Sequence, residues 1–457
     1  MAFNYTHCGR DQLYLLPPSM KDWLPPDHLA WFLLDAVEQM DLSAFHAAYR
    51  ADGKGGKSHH PELMLAVLLY GYCQGERSSR KLERFCQESV PYRILAANTK
   101  PDHCSFARFR NRHAKAMKVL FVEILRLCAS AGLVKVGKVN LDGTKMKANA
   151  SLSANRTEAS LGKEIQRMLA EAEAKDTEED TAYGKDRRGD ELPADLRSRE
   201  DRLRRLREAK DRLQRERLAA EDAQREKIQR REKTQAQTGK KPRGKPPASV
   251  QDVRTKQEKR KANATAPETR ILKTRSGYVQ GVNAQAACTD EQIILAADVV
   301  NQENDQGLYH PMMEQAQENA TAVLEGEDAK IRVGRADAGY CNEADLEREC
   351  EYETLMATTK DWKQRKAARE ASPPRGRIPQ HLSATQRMER KLRTKHGRED
   401  YKKRSQTIEP TFGQIKSGRR IDSFYGRQLA SVQGEWNLIC GTHNLLKLFA
   451  SQKAWQN

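Results

Sequence analysis

The sequence has no apolar run approaching the roughly 18 residues that a membrane-spanning helix needs, and its amino terminus has no signal-peptide pattern. The nine cysteines are scattered without a Cys-x-x-Cys pair, which argues against a zinc site and a disulfide scaffold. Aromatic residues make up 6% of the chain and charged residues 32%, so part of it is not packed. We expect a cytoplasmic, nucleoid-associated bacterial protein of two or three domains.

Positive charge is what the sequence has in excess. The formal net charge is +18 over 457 residues, and the pI is about 9.4. Such a chain repels itself unless it meets a polyanion, and nucleic acid is the commonest soluble one. The charge therefore predicts double-stranded DNA as the partner, with a merely solvated basic surface as the alternative.

The first part of the chain, residues 1–133, predicts an all-α domain. An apolar helix beginning at Pro61 is followed by a break at Gly75 and by a basic helix that Ser78 or Ser79 caps, which suggests a helix-turn-helix. A further helix after Asp102 mixes core positions with basic ones. The candidate DNA-binding residues of this domain are Arg77, Arg80, Lys81, Arg84, Arg108, Arg110 and Arg112.

Residues 157–267 differ sharply in composition from what surrounds them. They are highly charged and helix-forming, and leucines at three-, four- and seven-residue spacing (Leu192, Leu196, Leu203, Leu206 and Leu213) are typical of a short coiled coil or helical hairpin. A basic linker rich in Pro, Gly and Lys follows from residue 239 to 247. We interpret the segment as an insertion that grips DNA or pairs with a partner helix; a disordered spacer is the alternative for its second half.

Residues 134–156 and 268–450 predict one α/β domain around the insertion. A β-branched run from Val134 to Leu141 is typical of a central strand, and residues 277–287 and 293–300 predict a hairpin. Two more strands are expected around Ile331 and Leu355. The order strand, hairpin, helix, strand, helix, strand, helix indicates an RNase H-like fold, with a mixed five-stranded sheet flanked by helices and its first and fourth strands adjacent.

Two aspartates follow apolar runs in the same way. Asp142 precedes Gly143, and Asp337 precedes Gly339, so each is predicted to end a strand before a glycine turn. Neighbouring strands lie about 5 Å apart, so the two carboxylates should be close. Three carboxylates brought together are what a divalent-cation site requires.

The third acid is predicted to be Glu409. Ile408, Phe412 and Ile415 form a helical apolar stripe that could pack on the sheet and leave Glu409 and Lys416 on the adjoining face. Pro410 biases Glu409 away from helical geometry and suggests a helix start or a kink there.

Each acid also has a purely structural interpretation. Asp142 could form a turn, Asp337 could stand at a helix entry, and Glu409 could be a surface charge. Asp298 and Asp305 are competing acids, and a fold that placed Asp298 beside Asp142 would change the set.

Together these segments resemble the DDE transposases of bacterial insertion sequences over nearly the whole chain. The resemblance rests on Pro61 to Leu69, Ser78 to Lys81 and Pro101 to Arg110 in the helical part. In the α/β part it rests on Asn140 to Thr144, Gly281 to Gln285, Ala336 to Tyr340 and Tyr401 to Lys416.

The resemblance implies Mg²⁺-dependent cleavage and strand transfer at DNA ends, with two ions that Mn²⁺ can replace. Asp142, Asp337 and Glu409 match the three catalytic, metal-binding acids. Tyr401, Arg404 and Lys416 match the residues that accompany the last acid and bind DNA. Four residues separate Arg404 from Glu409, one more than in the family signature. Synapsis of two ends implies a homodimer.

Two other classes of function fit part of the same pattern. A structure-selective nuclease with the same fold would use the same acids without joining ends. A non-catalytic DNA-binding protein would need the basic residues alone.

Overall fold

The computed structural model describes residues 19–49, 58–183, 194–239, 244–274, 277–359, 361–379 and 381–456. Side chains are described for these residues except 172–199, 362, 365, 368–369 and 454–456. The predicted linker residues 240–243 and Leu192 lie outside the described residues, and so does the side chain of Leu196. Among the described residues, no helix is both long enough and apolar enough to cross a membrane.

Seven helices precede the first strand in the described part of the chain. They are α1 (Leu29–Glu38), α2 (Ser43–His46), α3 (Pro61–Cys73), α4 (Ser79–Glu88), α5 (Val90–Leu95), α6 (His103–Arg112) and α7 (Ala116–Ser130). Polar caps fix where the basic helices begin: Ser78 accepts a hydrogen bond from the backbone of Lys81, and Asp102 accepts one from that of Ser105. The predicted helix, glycine break and basic helix are α3, Gly75 and α4.

The main sheet has six strands. They are β1 (Lys138–Lys147), β4 (Arg270–Thr274), β5 (Gly277–Thr289), β6 (Ile294–Val300), β7 (Val333–Ala336) and β8 (Glu353–Met356). The strand order is β4-β5-β1-β7-β8, and β6 pairs with the same edge of β5 as β4 does, farther along that strand. The prediction of five strands is therefore corrected: β5 is 13 residues long and has room for two partners on one edge.

Strand direction changes at the centre of the sheet. β1 pairs antiparallel with β5, with Asp142 opposite Ala286, and pairs parallel with β7, with Asn140 opposite Arg335. β8 continues the parallel part beside β7. The expected adjacency of the first strand and the strand before Asp337 is thus present.

Helices cover the sheet and join it to the first part of the chain. They are α11 (Tyr309–Val323), α12 (Glu343–Glu347), α13 (Trp362–Glu370), α14 (Ala384–Arg393), α15 (Lys395–Gly413) and α16 (Leu429–Gln456). Helix α16 packs between α7 and β6 and places the fully buried Trp436 against the backbone of β5. One continuous apolar core runs from α1 through the sheet to α16. The domain boundary predicted at residue 133 remains a prediction.

The insertion is helical. It consists of α8 (Glu158–Tyr183), α9 (Ala194–Thr238) and α10 (Val250–Glu258), with the short antiparallel strands β2 (Asn155–Thr157) and β3 (Lys261–Asn263) at its base. Helices α8 and α9 share a small core of their own that includes Leu206 and Leu213. Of the two predicted alternatives, a short coiled coil and a helical hairpin, the structure has the helical hairpin.

Candidate functional site: a carboxylate pocket beside the central strands

Asp142 lies within β1 and not at its end. The strand continues to Lys147, because Gly143 stays extended and pairs with Gln285. The prediction of a glycine turn here is wrong, and the glycine serves a different purpose. A Cβ atom on residue 143 would lie 2.6 Å from Asp305 Oδ1 and 3.0 Å from Asn283 Oδ1. The missing side chain makes room for a polar cluster next to Asp142.

Asp337 directly follows β7 and turns into the same region. The Gly339 amide donates a 2.7 Å hydrogen bond to Asp337 Oδ1, which fixes the carboxylate beside its own turn. A Cβ atom on Gly339 would lie 2.8 Å from Asp337 Oδ1 and 2.8 Å from Asp305 Oδ2. The absence of a side chain at Gly339 thus allows two carboxylates to converge.

Asp305 is the acid that sequence reasoning undervalued. It lies in the connection between β6 and α11, where its Oδ1 accepts hydrogen bonds from Asn283 Nδ2 (2.7 Å) and Gln285 Nε2 (2.9 Å). Tyr340 donates its hydroxyl proton to Gln285 Oε1, which orients the amide towards Asp305. Alternating polar residues on β5 were the available signal, because an Asn and a Gln two positions apart on a buried strand face the same side. The competing acid Asp298 instead accepts a hydrogen bond from Gln433.

Arg404 reaches this pocket from α15. Its Nη2 lies 2.9 Å from Asp142 Oδ2, and the arginine side chain is 8% exposed. Burial raises the pKa of the Asp142 carboxyl to about 7; Arg404 opposes this rise, whereas the neighbouring Asp337 and Asp305 add to it. Arg404 thus pairs with Asp142 in a region that also contains Asp337 and Asp305, and the excess of carboxylates favours an additional cation.

The other residues of α15 occupy different positions. Tyr401 donates its hydroxyl to the Ala336 carbonyl (3.2 Å), which holds the helix against the end of β7. Ile408 and Phe412 are buried as predicted. Glu409 is exposed, and Pro410 lies inside a helix that runs from Lys395 to Gly413, so the predicted helix start at Glu409 is wrong, whereas the alternative of a kink there stays a prediction. Proline is tolerated because the carbonyl that loses its partner belongs to the exposed Gln406.

Lys416 follows α15 in a short π-helical segment, Gln414–Gly418. Its Nζ donates a 2.8 Å hydrogen bond to the Lys145 carbonyl near the end of β1, and burial lowers its pKa. Lys416 therefore contacts β1 at Lys145, three positions beyond Asp142.

Comparisons with known families decide the identity. The family model described as "Transposase domain (DUF772)" matches residues 18–112, and the one described as "Transposase DDE domain" matches residues 250–445. The chain belongs to the DDE transposases of insertion-sequence type. Transposases of this family cut DNA and transfer the cut strand, and they depend on a divalent metal ion. Neither the curated proteins nor the solved structures contain a match to this chain.

The two matches leave the first of the three predicted acids outside. Asp142 lies between them, whereas Asp305, Asp337 and Glu409 lie inside the second. The insertion separates β1 from the rest of the sheet in sequence by more than a hundred residues. The sheet brings β1 back between β5 and β7.

The carboxylate pocket of the transposase contains the oxygen ligands that a divalent ion requires, but they are not grouped as a complete coordination shell. In the described residues, no three or more His, Cys, Asp or Glu side chains are grouped closely enough to form a metal site. The oxygens of Asp305 and Asp337 nevertheless converge at Gly339, and Asp142 is held by Arg404 at the same pocket. Carboxylate oxygens are the ligands that hard cations prefer, so the chemistry of the donor set fits.

The predicted DNA-binding residues of the amino-terminal transposase domain divide into two groups. Arg80, Lys81, Arg84, Arg108 and Arg112 are exposed. Arg77 is 4% exposed and pairs with Glu435 at 2.7 Å, and Arg110 donates to the Arg77 carbonyl and to Ser79. The assignment of these two arginines to DNA is corrected, because they attach α4 and α6 to α16 and its preceding loop.

Proposed function

We propose that this transposase cuts and joins the ends of its element at one RNase H-like site, in which Asp142, Asp337 and Glu409 are the catalytic acids. The observation that carries the proposal is the convergence of Asp142 and Asp337 from adjacent parallel strands on one half-buried pocket. The order β6-β5-β1-β7-β8, antiparallel on one side of β1 and parallel on the other, supports the RNase H-like assignment.

Asp142 and Asp337 would hold two Mg²⁺ ions, or Mn²⁺ in their place, with Asp305 as an additional carboxylate that Asn283 and Gln285 orient. Such ions supply a Lewis acid that activates the attacking oxygen and stabilises the leaving oxygen of a phosphoryl transfer. Arg404 neutralises Asp142 until DNA enters and is then available to bind a phosphate. Glu409 is exposed on the helix that carries Arg404, five positions farther along it.

Tyr401 and Lys416 complete the site as positioning residues. Tyr401 fixes α15 to the end of β7, and Lys416 sets a cation beside the end of β1. A cation at that place favours a DNA phosphate next to the scissile bond. Exposed basic residues of α4 and α6 would contact the duplex farther away.

Removal of each acid tests the proposal. Asp142→Asn, Asp337→Asn and Glu409→Gln remove one negative charge each with little change in shape, and each should lower the cleavage rate of end-bearing DNA by at least about 10³-fold. Binding of the same DNA in a metal chelator should stay within about threefold. Glu399→Gln on the exposed face of α15 is the matched control and should cut normally.

The assay uses a radiolabelled duplex carrying one element end, first uncut and then pre-cleaved, so that cleavage and strand transfer are measured separately. Cleavage by any one of the three acid variants at the wild-type rate would remove that acid from the site. Light scattering of the complex with end DNA tests the expected homodimer. The mass of a complex with two transposase chains and two ends supports it, and the mass of a complex with a single chain and a single end contradicts it. We also expect nucleoid association, since the substrate is chromosomal DNA.

A further inference from the structure

The positive charge of the chain is concentrated in one part of the insertion. Residues 214–261, which we call the distal arm, contain 16 Lys and Arg against 7 Asp and Glu, a net charge of +9. Helix α8 of the same insertion has 3 Lys and Arg against 8 Asp and Glu, a net charge of −5. Half of the formal charge of +18 therefore lies in the distal arm.

The distal arm has few apolar side chains to bury. The small core between α8 and α9 includes Leu161, Ile165, Leu206 and Leu213, and it does not extend beyond Leu213 on α9. Farther out, α9 and α10 are joined through polar contacts, such as Gln224 Nε2 to the Ala248 carbonyl at 2.6 Å. Packing of an apolar core therefore does not account for the outer part of α9.

Several acidic residues of the distal arm are paired with neighbours in the arm itself, whereas Glu226 and Glu232 are exposed among its cations. Glu221 and Asp222 pair with Arg225, and Asp252 forms the capping box of α10 with Ser249. Lys227, Arg230 and Lys233 are exposed at three-residue spacing along one side of α9, and Lys256 and Lys259 are exposed on and just after α10. The outer surface is thus cationic, as a sugar–phosphate backbone requires.

The base of the distal arm touches the loop that supplies Asp305. Arg260 Nη2 lies 2.8 Å from Glu303 Oε1, and Glu303 is two residues from Asp305. Glu216 on α9 pairs with Arg270, whose Nε donates to the Asn301 carbonyl at 2.7 Å. Both contacts join the base of the distal arm to the loop that carries Asp305.

We propose that the distal arm binds the phosphates of the duplex that extends out of the carboxylate pocket. The position of the DNA end in this proposal rests on the proposed function. The binding of phosphates by the distal arm does not depend on it. The part of helix α9 that lies in the distal arm, residues 214–238, has 25 residues and is about 37 Å long, enough to follow about 11 base pairs of duplex. Contacts to phosphates carry no sequence information, so the distal arm adds affinity equally on any flanking sequence.

A second copy of the chain is the less suitable occupant. Two distal arms of +9 each would repel one another, and a coiled-coil seam needs a repeated apolar stripe. Among the described residues of the distal arm, Leu218 is the single large hydrophobic side chain that is mostly exposed. One exposed leucine is not sufficient for the apolar stripe of a coiled coil.

The test compares two triple variants of the full chain in a metal chelator, where no cleavage occurs. The first variant combines Lys227→Gln, Arg230→Gln and Lys233→Gln. The matched control combines Arg167→Gln, Arg202→Gln and Arg204→Gln, which removes three cations that pair with Glu171, Glu164 and Asp201. Glutamine preserves helix propensity, and circular dichroism verifies that both variants stay folded.

Binding to a duplex of about 40 base pairs is measured by fluorescence anisotropy as a function of salt concentration. The slope of log K against log salt should become shallower by about 2 to 3 for the first variant, and affinity should fall at least about tenfold. The control slope should change by less than about 1. Sedimentation of both variants without DNA is measured alongside.

Equal slopes for the two variants and the wild type would overturn the proposal. A change in self-association of the first variant at an unchanged slope would also overturn it and would assign the distal arm to a second copy. Asp337→Asn measured in the same assay keeps the two hypotheses apart: its slope should equal that of the wild type even if its cleavage activity later contradicts the proposed catalytic role.

Discussion

The carboxylate pocket and the distal arm use charge in opposite ways. In the pocket, Asp142 is largely enclosed, and burial raises the pKa of its carboxyl to about 7 although Arg404 lies 2.9 Å away. On the distal arm, cations such as Lys227 and Arg230 are exposed to water. Charges in a low-dielectric pocket interact strongly and at fixed positions, whereas exposed charges act through their number and are screened by salt.

The difference indicates how each region tolerates change. A pocket that depends on the position of a few oxygens should be sensitive to a displacement of about 1 Å. A surface that depends on summed charge should lose function gradually, one cation at a time. Substitutions of matched chemistry in the two regions test this contrast.

Apart from the three proposed catalytic acids, the largest effect is expected at Gly339. Gly339→Ala places a methyl group 2.8 Å from oxygens of both Asp305 and Asp337, so the two carboxylates must move apart. The backbone amide that donates to Asp337 is kept. We expect the cleavage rate to fall at least about 100-fold with a melting temperature close to that of the wild type, measured by gel assay and calorimetry.

Gly162→Ala in α8 of the insertion is the control for this glycine. A Cβ atom at Gly162 meets nothing within 4 Å, and alanine is favoured over glycine in a helix by about 1 kcal/mol. This variant should cut normally and be slightly more stable. Equal activities of Gly339→Ala and Gly162→Ala would show that the convergence of carboxylates at Gly339 is not needed.

A smaller effect is expected from Asp305→Asn. The asparagine oxygen can still accept the hydrogen bonds from Asn283 and Gln285, but the group facing Asp337 becomes an uncharged amide. Loss of one carboxylate should weaken Mn²⁺ binding about 10- to 100-fold, measured by isothermal titration calorimetry without DNA. Asp298→Asn, whose carboxylate accepts from Gln433 on α16, is the control. Identical Mn²⁺ affinities would exclude Asp305 from the metal site.

Much of the α/β fold could be predicted from the sequence because its signals are local. Apolar runs indicated β1, β5 and β6, and the stripe of Ile408, Phe412 and Ile415 indicated which face of α15 is buried. The adjacency of β1 and β7 followed from strand order alone. The roles of Gly143 and Gly339 were not predictable, because both depend on side chains from other strands and loops that pack against them.

Asp305, Arg77 and Arg110 show why the site was only partly predictable. Asp305 has no motif of its own, and its role comes from Asn283 and Gln285 on a different element. Arg77 and Arg110 resemble exposed cations in sequence, but Glu435, more than 300 positions away, pairs with Arg77 inside the protein. Contacts between distant parts of the chain decide whether a charge binds DNA or stabilises the fold.

The smallest expected effect is a loss of folding stability at low pH, which should arise in the core and not in the insertion. His443 on α16 is buried, and burial together with Arg419 lowers its pKa to about 3. The pKa of His443 in the folded state is below the ordinary value of 6.5, so the unfolded state takes up a proton more readily. The free energy of unfolding is therefore highest above pH 6.5 and decreases as the pH falls towards 3.

Between pH 7 and pH 5 this histidine alone should lower the free energy of unfolding by about 2 kcal/mol, measured by urea unfolding followed through tryptophan fluorescence. His443→Gln keeps a donor for the Gln292 carbonyl and should remove that share of the pH dependence. Residues 157–267 contain no histidine, so the charge of the insertion hardly changes over this range, and salt-dependent DNA binding by the distal arm should be the same at both pH values. A wild-type protein and a His443→Gln variant that lose equal stability at pH 5 would contradict the assignment of acid sensitivity to this residue of the core.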